Sequence, residues 1–223
     1  MSITPRLRGG VYVDGFNLYH SIDDLRQPYL KLLSLQRLAA RFARGHAHSI
    51  DHIVFGTAFF PSDFGKRKRH EKYIEALEAE NVTVLKGHTT KEPNECKSCG
   101  HKWDQPREKE TDINVALSMY HHAISGQIDV AFLISADTDQ AATLRFMQRN
   151  CPNVRRIVVT PYGRDKSKHL RDLAHSNLQL SLDDLDSSVF PKLIHAPSGK
   201  LIVAPQEYHP DAGWVHPDDR PRK

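Results

Sequence analysis

Four aspartates stand where an acidic metal site would need them. Asp14 closes the apolar run in VYVDGFNLYH, Asp112 opens DINVAL, and Asp137 and Asp139 follow the apolar run in FLISADTDQ. A hard cation such as Mg²⁺ takes oxygen ligands and is held by one or two carboxylates, with water and substrate phosphate completing its octahedron. Carboxylates crowded into one place raise one another's pKa unless a cation neutralises them. Taken singly, each of these aspartates reads equally well as a turn or cap residue. Asp139 is best placed to cap the helix that follows it, and Thr111 the helix that carries Asp112. The set says more than its members, because three unrelated segments deliver carboxylates to one edge of the expected fold.

That edge follows from the elements. Short runs rich in Val, Ile and Phe at 10–13, 52–60, 82–86, 130–135 and 154–159 read as strands buried on both faces. Helical periodicity begins at Leu33, Lys68, Asp112 and Asp139. Strands and helices alternating in this way predict an α/β sheet of mainly parallel strands with helices on both sides. Ligands of such sheets bind at the carboxyl ends of the strands, where Asp14 and Asp137 fall. Residues 87–110 carry prolines, a CxxC and no usable period, and are expected to form an irregular insertion. The predicted organisation is one domain over 1–187 containing that insertion, then a Pro-rich extension over 188–223 that packs partly on the domain or stays mobile.

Two further clusters could carry chemistry. Lys66, Arg67, Lys68 and Arg69 open a helix, where positive charge opposes the macrodipole at a cost of about 0.3–1 kcal/mol each. Helix stability would not select this, so the run reads as a phosphate-binding patch with Phe59, Phe60 and Phe64 nearby. In CKSCGHKW, Cys96 and Cys99 have half the spacing of a zinc ribbon. The missing ligands of a structural Zn²⁺ would be His88 and His101, or one of these with Cys151, or the same residues from a second copy in a homodimer. His121 and His122 read as helix-surface residues.

Composition narrows the setting. The formal charge of +4 suits a polyanionic partner without demanding one. No stretch approaches the roughly 18 apolar residues of a membrane span. Residues 1–10, MSITPRLRGG, lack the apolar core of a secretory signal. Three cysteines do not make a disulfide framework, which favours a reducing, cytoplasmic setting. A phosphatase of the haloacid type needs a second Asp two residues after the first, and that position is Phe16. No GxGxxG or GxxxxGK[ST] follows a strand, which argues against nucleotide-cofactor binding.

DGFN after the first strand, EKETDINVAL, SADTD, and SKHLRDLAHSNLQL over 167–180 together resemble the NYN domain, a branch of the PIN-like nuclease superfamily. The resemblance runs from about Gly10 to Leu182. It implies a Rossmann-like three-layer α/β/α fold and a Mg²⁺- or Mn²⁺-dependent endonuclease acting most often on RNA, leaving 5′-phosphate and 3′-hydroxyl ends. On matching positions, Asp14, Asp112 and Asp137 would bind the metal with Asp139 assisting. Asn17 and Ser135 would contact phosphate, water or the carboxylates, and Glu108 would orient water or a second metal. At His175 the chain departs from the Asp that the family often carries. A non-catalytic RNA-binding module of the same fold is the alternative.

Overall fold

The computed structural model describes residues 6–59 and 63–221; Phe60, grouped above with the basic run, lies outside the described residues. The chain runs β1 (Arg8–Asp14), α1 (Gly15–Asp23), α2 (Leu35–Phe42), β2 (Ser49–Thr57), α3 (Phe64–Ala79) and β3 (Thr83–Lys86). It continues through β4 (His88–Glu95), β5 (Lys102–Lys109), α4 (Thr111–Ile124), β6 (Val130–Ile134), α5 (Ala141–Asn150) and β7 (Arg155–Thr160). The last elements are α6 (Lys168–Arg171), β8 (Ser176–Gln179), α7 (Leu182–Asp186), β9 (Leu193–His195) and β10 (Leu201–Val203).

Six of the strands form one parallel sheet in the order β3-β2-β1-β6-β7-β8. All five residues of β6 are buried, and each large aliphatic side chain buried there stabilises the fold by about 1.5–3 kcal/mol. Alternate residues feed two cores. Val11, Val13, Phe132 and Ile134 pack with α1, α2 and the end of α3, whereas Tyr12, Ala131 and Leu133 pack with α4 and α5. This is the period-2 alternation of a strand covered on both faces, and it gives three α/β/α layers. Strand order reverses between β1 and β6, so the switch-point crevice opens at the ends of those two strands.

The helix α1, absent from the periodicity above, starts at Gly15 because nothing larger fits. A Cβ there would stand 2.2 Å from the Gly56 carbonyl oxygen of β2. The glycine of DGFN therefore lets the first helix descend onto the neighbouring strand.

Residues 87–110 are not irregular. β4 and β5 form an antiparallel hairpin in continuous register from His88↔Lys109 to Glu95↔Lys102, with the CxxC at its tip. Its strands are mostly solvated on both faces, so there is no apolar alternation to read. Beyond α7 the chain packs on the domain. Ile194 and Ile202 of the β9–β10 hairpin are buried in the α1–α2 core, and Asp186 accepts hydrogen bonds from Trp214 Nε1 (2.8 Å) and Tyr29 Oη (2.9 Å).

Candidate active site

Asp14 is both the last residue of β1 and the N-cap of α1. Its Oδ1 accepts the Asn17 amide (3.0 Å), and its Oδ2 accepts the Ser135 hydroxyl (2.9 Å) just past β6. Ser135 Oγ in turn accepts the Asp137 amide (3.0 Å), while Asn17 Oδ1 accepts the Ala136 amide (3.0 Å). Two of these hydrogen bonds, Ser135 to Asp14 and Ala136 to Asn17, tie the β1–α1 junction to the segment after β6, across the point where strand order reverses, and the other two brace each side. The Ser135 hydroxyl thus joins the Asp14 carboxylate to the backbone amide of Asp137.

The third segment enters from the hairpin. Glu108, near the end of β5, accepts the Thr111 amide through Oε1 (3.0 Å) and so caps α4. Glu110 takes a left-handed conformation (φ 75°) to turn the chain into the helix, and Asp112 follows in the first turn. Gln140 Nε2 donates to the Asp112 carbonyl (3.2 Å), fixing the start of α4 against the segment after β6.

These groups line a cleft of about 940 Å³ containing Asp14, Asn17, Glu108, Asp112 and Asp137. Its other carboxylates are Asp24, Glu110 and Asp165, and among the described residues the Lys and Arg side chains that line it are Lys109 and Arg164. Lys109 is paired with Glu92, and Arg164 with Asp24. Among the described residues no Lys or Arg pairs with Asp14, Glu108, Asp112 or Asp137. Burial pushes the Asp14 carboxyl above the ordinary carboxylate range; the Asn17 and Ser135 hydrogen bonds oppose this, and the charges of Asp137 and Asp112 add to it. Glu108 is pushed the same way, first by burial and then by Asp112 and Asp14.

This donor set fits a hard divalent cation. It is all oxygen and short of positive charge, and beside it the buried Thr111 Oγ1 has no hydrogen-bond partner. Among the described residues, no three His, Cys, Asp or Glu side chains are grouped as ligands of one ion. An ion in the cleft would accordingly rest on one or two of these carboxylates, with water and phosphate oxygens supplying the remainder.

Several expectations need correction. Asp137, not Asp139, is the cap: its Oδ1 accepts the Asp139 amide (3.0 Å), and Asp139 is exposed and not among the residues lining the cleft. Thr111 is the first residue of α4 and not its cap. Ser135 is wholly buried with its hydroxyl committed to Asp14 and Asp137, so it positions carboxylates and does not face a substrate. His175 sits just before β8, at the opposite end of the sheet, bonded to Arg156.

The basic run does not line the acidic cleft. Asp63 caps α3 by accepting the Lys66 amide, Arg67 pairs with Glu71, and Arg69 pairs with Glu207. Lys68 has no ion-pair partner among the described residues. Lys66 and Arg67 line a second cavity next to the cleft.

The zinc ligand set does not assemble either. His88 and Cys96 lie at opposite ends of β4, about 26 Å apart at the rise of a strand. Cys151 is buried in the α4–α5 core. His101 stacks on Trp103 near the tip, which leaves Cys96 and Cys99 without a full set. Sequence reasoning passed over Asp165, a carboxylate in the β7–α6 loop at the same strand edge, and Arg164 and Asp24, which pair at the mouth.

A family model described as the NYN domain matches residues 8–180. The chain belongs to the NYN domain family. Its six-stranded parallel sheet between helices is consistent with the PIN-like nuclease fold of that family. A curated relative, 6-hydroxy-3-succinoylpyridine 3-monooxygenase HspA of Pseudomonas putida, is 29% identical over 153 residues, which are 64% of this chain and 48% of that protein. The chain thus spans about half the length of that relative. A crystal structure of a protein of unknown function from Vibrio parahaemolyticus superposes with a TM-score of 0.54 at 16% identity, covering 82% of this chain and 98% of the other. That likeness concerns the fold. Among the described residues no helix is long and apolar enough to cross a membrane.

Proposed function

We propose that this NYN domain protein is a metal-dependent endoribonuclease that hydrolyses phosphodiester bonds at the Asp14–Asp112–Asp137 cleft. The observation that carries the reading is the surplus of carboxylates there, tied across the switch point by Ser135 and Asn17 and, among the described residues, with no Lys or Arg ion-paired to Asp14, Asp112 or Asp137. Asp14, Asp112 and Asp137 are the carboxylates from which the one or two holding Mg²⁺ or Mn²⁺ would come, and the ion when bound would supply Lewis acidity at phosphorus and a more acidic water. Ser135 and the Asn17 amide hold both oxygens of Asp14 in fixed directions, so the carboxylate needs little reorganisation when a phosphate arrives. Glu108, whose carboxyl favours the protonated form more than an exposed glutamate does, is suited to take the proton of the attacking water. Attack in line breaks the P–O3′ bond and leaves 5′-phosphate and 3′-hydroxyl ends.

Incubation of labelled single-stranded and structured RNA with the full chain, with and without Mn²⁺, tests this. Products that appear only with the metal support it. Retention of intact RNA on the protein under both conditions would mean that the chain is the non-catalytic RNA-binding module instead. The name of the Pseudomonas relative supplies a second reading, oxidation of an aromatic heterocycle, favoured by an aromatic cavity beside the cleft. Loss of the ultraviolet spectrum of added 6-hydroxy-3-succinoylpyridine when O₂ and a nicotinamide reductant are supplied, without RNA cleavage, would select it.

A further inference from the structure

Next to the acidic cleft, between α1 and α3 and against the end of β2, lies a cavity of about 410 Å³. That volume is within the range of sites that enclose small ligands. Its walls are aromatic: Tyr19 from α1, Phe55 from β2, Tyr73 from α3, and Tyr208 from the C-terminal segment. Phe16 and His20 line both this cavity and the cleft, so the two are neighbours on either side of the first turns of α1. The rim carries Lys31, Lys66 and Arg67 together with Asp23 and Asp63, which pair with Lys31 and Lys66. Lys31 lies over the Tyr19 ring at 5.1 Å and the Tyr208 ring at 6.0 Å, and Lys66 and Arg67 stand at the start of α3. A polar pair also lines it, Thr57 Oγ1 and His70 Nε2 at 2.9 Å. Burial pushes His70 down to about 4, so at neutral pH its ring is uncharged.

Planar aromatic walls with a cationic rim suit a planar heterocycle attached to phosphate. Unpaired bases of single strands stack on such rings with little regard to sequence. Adjacency to the cleft would put such a base within one nucleotide of a phosphate held over Asp14 and Asp137. We propose that this cavity is a base-stacking subsite, which takes the extruded base of a nucleotide neighbouring the scissile phosphate while Lys66 and Arg67 hold an adjacent phosphate. The inference rests on the endoribonuclease reading and makes single-stranded RNA the substrate class. It also gives the C-terminal segment a part in binding, because Tyr208 forms one wall and is held by Arg69, whose guanidinium lies 5.8 Å from its ring.

The test uses the full chain in EDTA, so that binding is measured without cleavage. A short RNA is scanned with single abasic sites, and separately with single 2-aminopurine substitutions. One position is expected to weaken binding about tenfold when abasic, in line with about 1–3 kcal/mol per stacked base. The same position is expected to show 2-aminopurine quenching that Tyr208→Ala and Tyr19→Ala abolish, that Tyr208→Phe retains, and that Cys99→Ser at the hairpin tip leaves unchanged. Circular dichroism of each variant separates loss of the wall from loss of the fold. A flat abasic profile in a protein that still cleaves RNA with Mn²⁺ overturns the subsite and leaves the nuclease reading standing. Equal affinity for duplex and single strand, or displacement of a flat-profile RNA by a free pyridine, overturns it too. Absence of both RNA binding and cleavage overturns the subsite and the nuclease reading together.

Discussion

Asp14→Asn separates the structural work of the central carboxylate from its chemical work. In the native site Asp14 accepts one hydrogen bond on each oxygen, from Asn17 and from Ser135. Asparagine keeps one acceptor, and the lost bond to a charged group costs about 1.5–3 kcal/mol. Against that, burial and the nearby Asp137 and Asp112 resist ionisation of Asp14. A carboxyl whose folded pKa is raised contributes stability at low pH that is lost as pH rises from the ordinary carboxylate range through the raised value. Above that raised value the wild type has lost it and the neutral variant has not, so there the two costs oppose. A divalent ion separates the two proteins. An ion at one hundred times its dissociation constant stabilises the wild type by about 2.7 kcal/mol. For a chain of this size that is a rise in Tm of about 5–11 °C. Thermal unfolding followed by far-ultraviolet circular dichroism across a Mn²⁺ titration should show this rise in the wild type and its near loss in Asp14→Asn. Equal rises in both proteins would refute the argument that Asp14 belongs to a cation site.

Ser135→Ala removes the hydroxyl between Asp14 and Asp137 and leaves the Asp137 amide without its partner, for a cost of about 1–3 kcal/mol. Because that hydroxyl opposes the upward shift of Asp14, the acid limb of the pH–cleavage profile should also move to higher pH. At Asp186, burial raises the carboxyl but hydrogen bonds from Trp214, Arg220 and Tyr29 outweigh it and hold the group below the ordinary range. Stability from that depressed value is present above the unfolded pKa and is lost as pH falls through the folded one, so Asp186→Asn should flatten the acid unfolding curve of the wild type. The Cys96→Ser/Cys99→Ser pair at the hairpin tip should leave stability within about 0.5 kcal/mol of wild type by urea unfolding. A loss of several kcal/mol there would instead reveal a structural metal.

The parts of this fold that sequence makes legible are those with an apolar period. β1, β2, β6 and β7 announce themselves because they are buried on both faces, and an all-apolar run such as VAFLI has few alternatives at that length. α1 is hidden because its nine residues mix buried Leu18 and Ile22 with exposed Tyr19 and His20, too short a span for a helical stripe. The β4–β5 hairpin is hidden because it buries almost nothing. At the site, the residue types and strand-end positions of Asp14, Asp112 and Asp137 can be read directly, but which aspartate caps cannot. Thr138–Gln140 form a short 3₁₀ turn before α5, which moves the cap back two residues from the first helical-looking position. Asp165 escapes notice because the loop around it has no period. Ser135 reads as a contact to phosphate, water or the carboxylates, and the sheet decides for the carboxylate by aiming the residue after β6 at Asp14.

Asp137 is the residue on which the account can be tested most directly. Its backbone amide shares the Ser135 hydroxyl with the Asp14 carboxylate, yet its side chain caps only a three-residue turn, so Asp137→Asn should fold normally. The measurement is the rate of cleavage of a labelled single-stranded RNA at saturating Mn²⁺, wild type against Asp137→Asn, with the product ends identified. The account predicts a fall on the order of 100-fold or more, comparable to removing one transition-state-stabilising group, and 5′-phosphate ends in what the wild type releases. Cleavage by Asp137→Asn at the wild-type rate would contradict it.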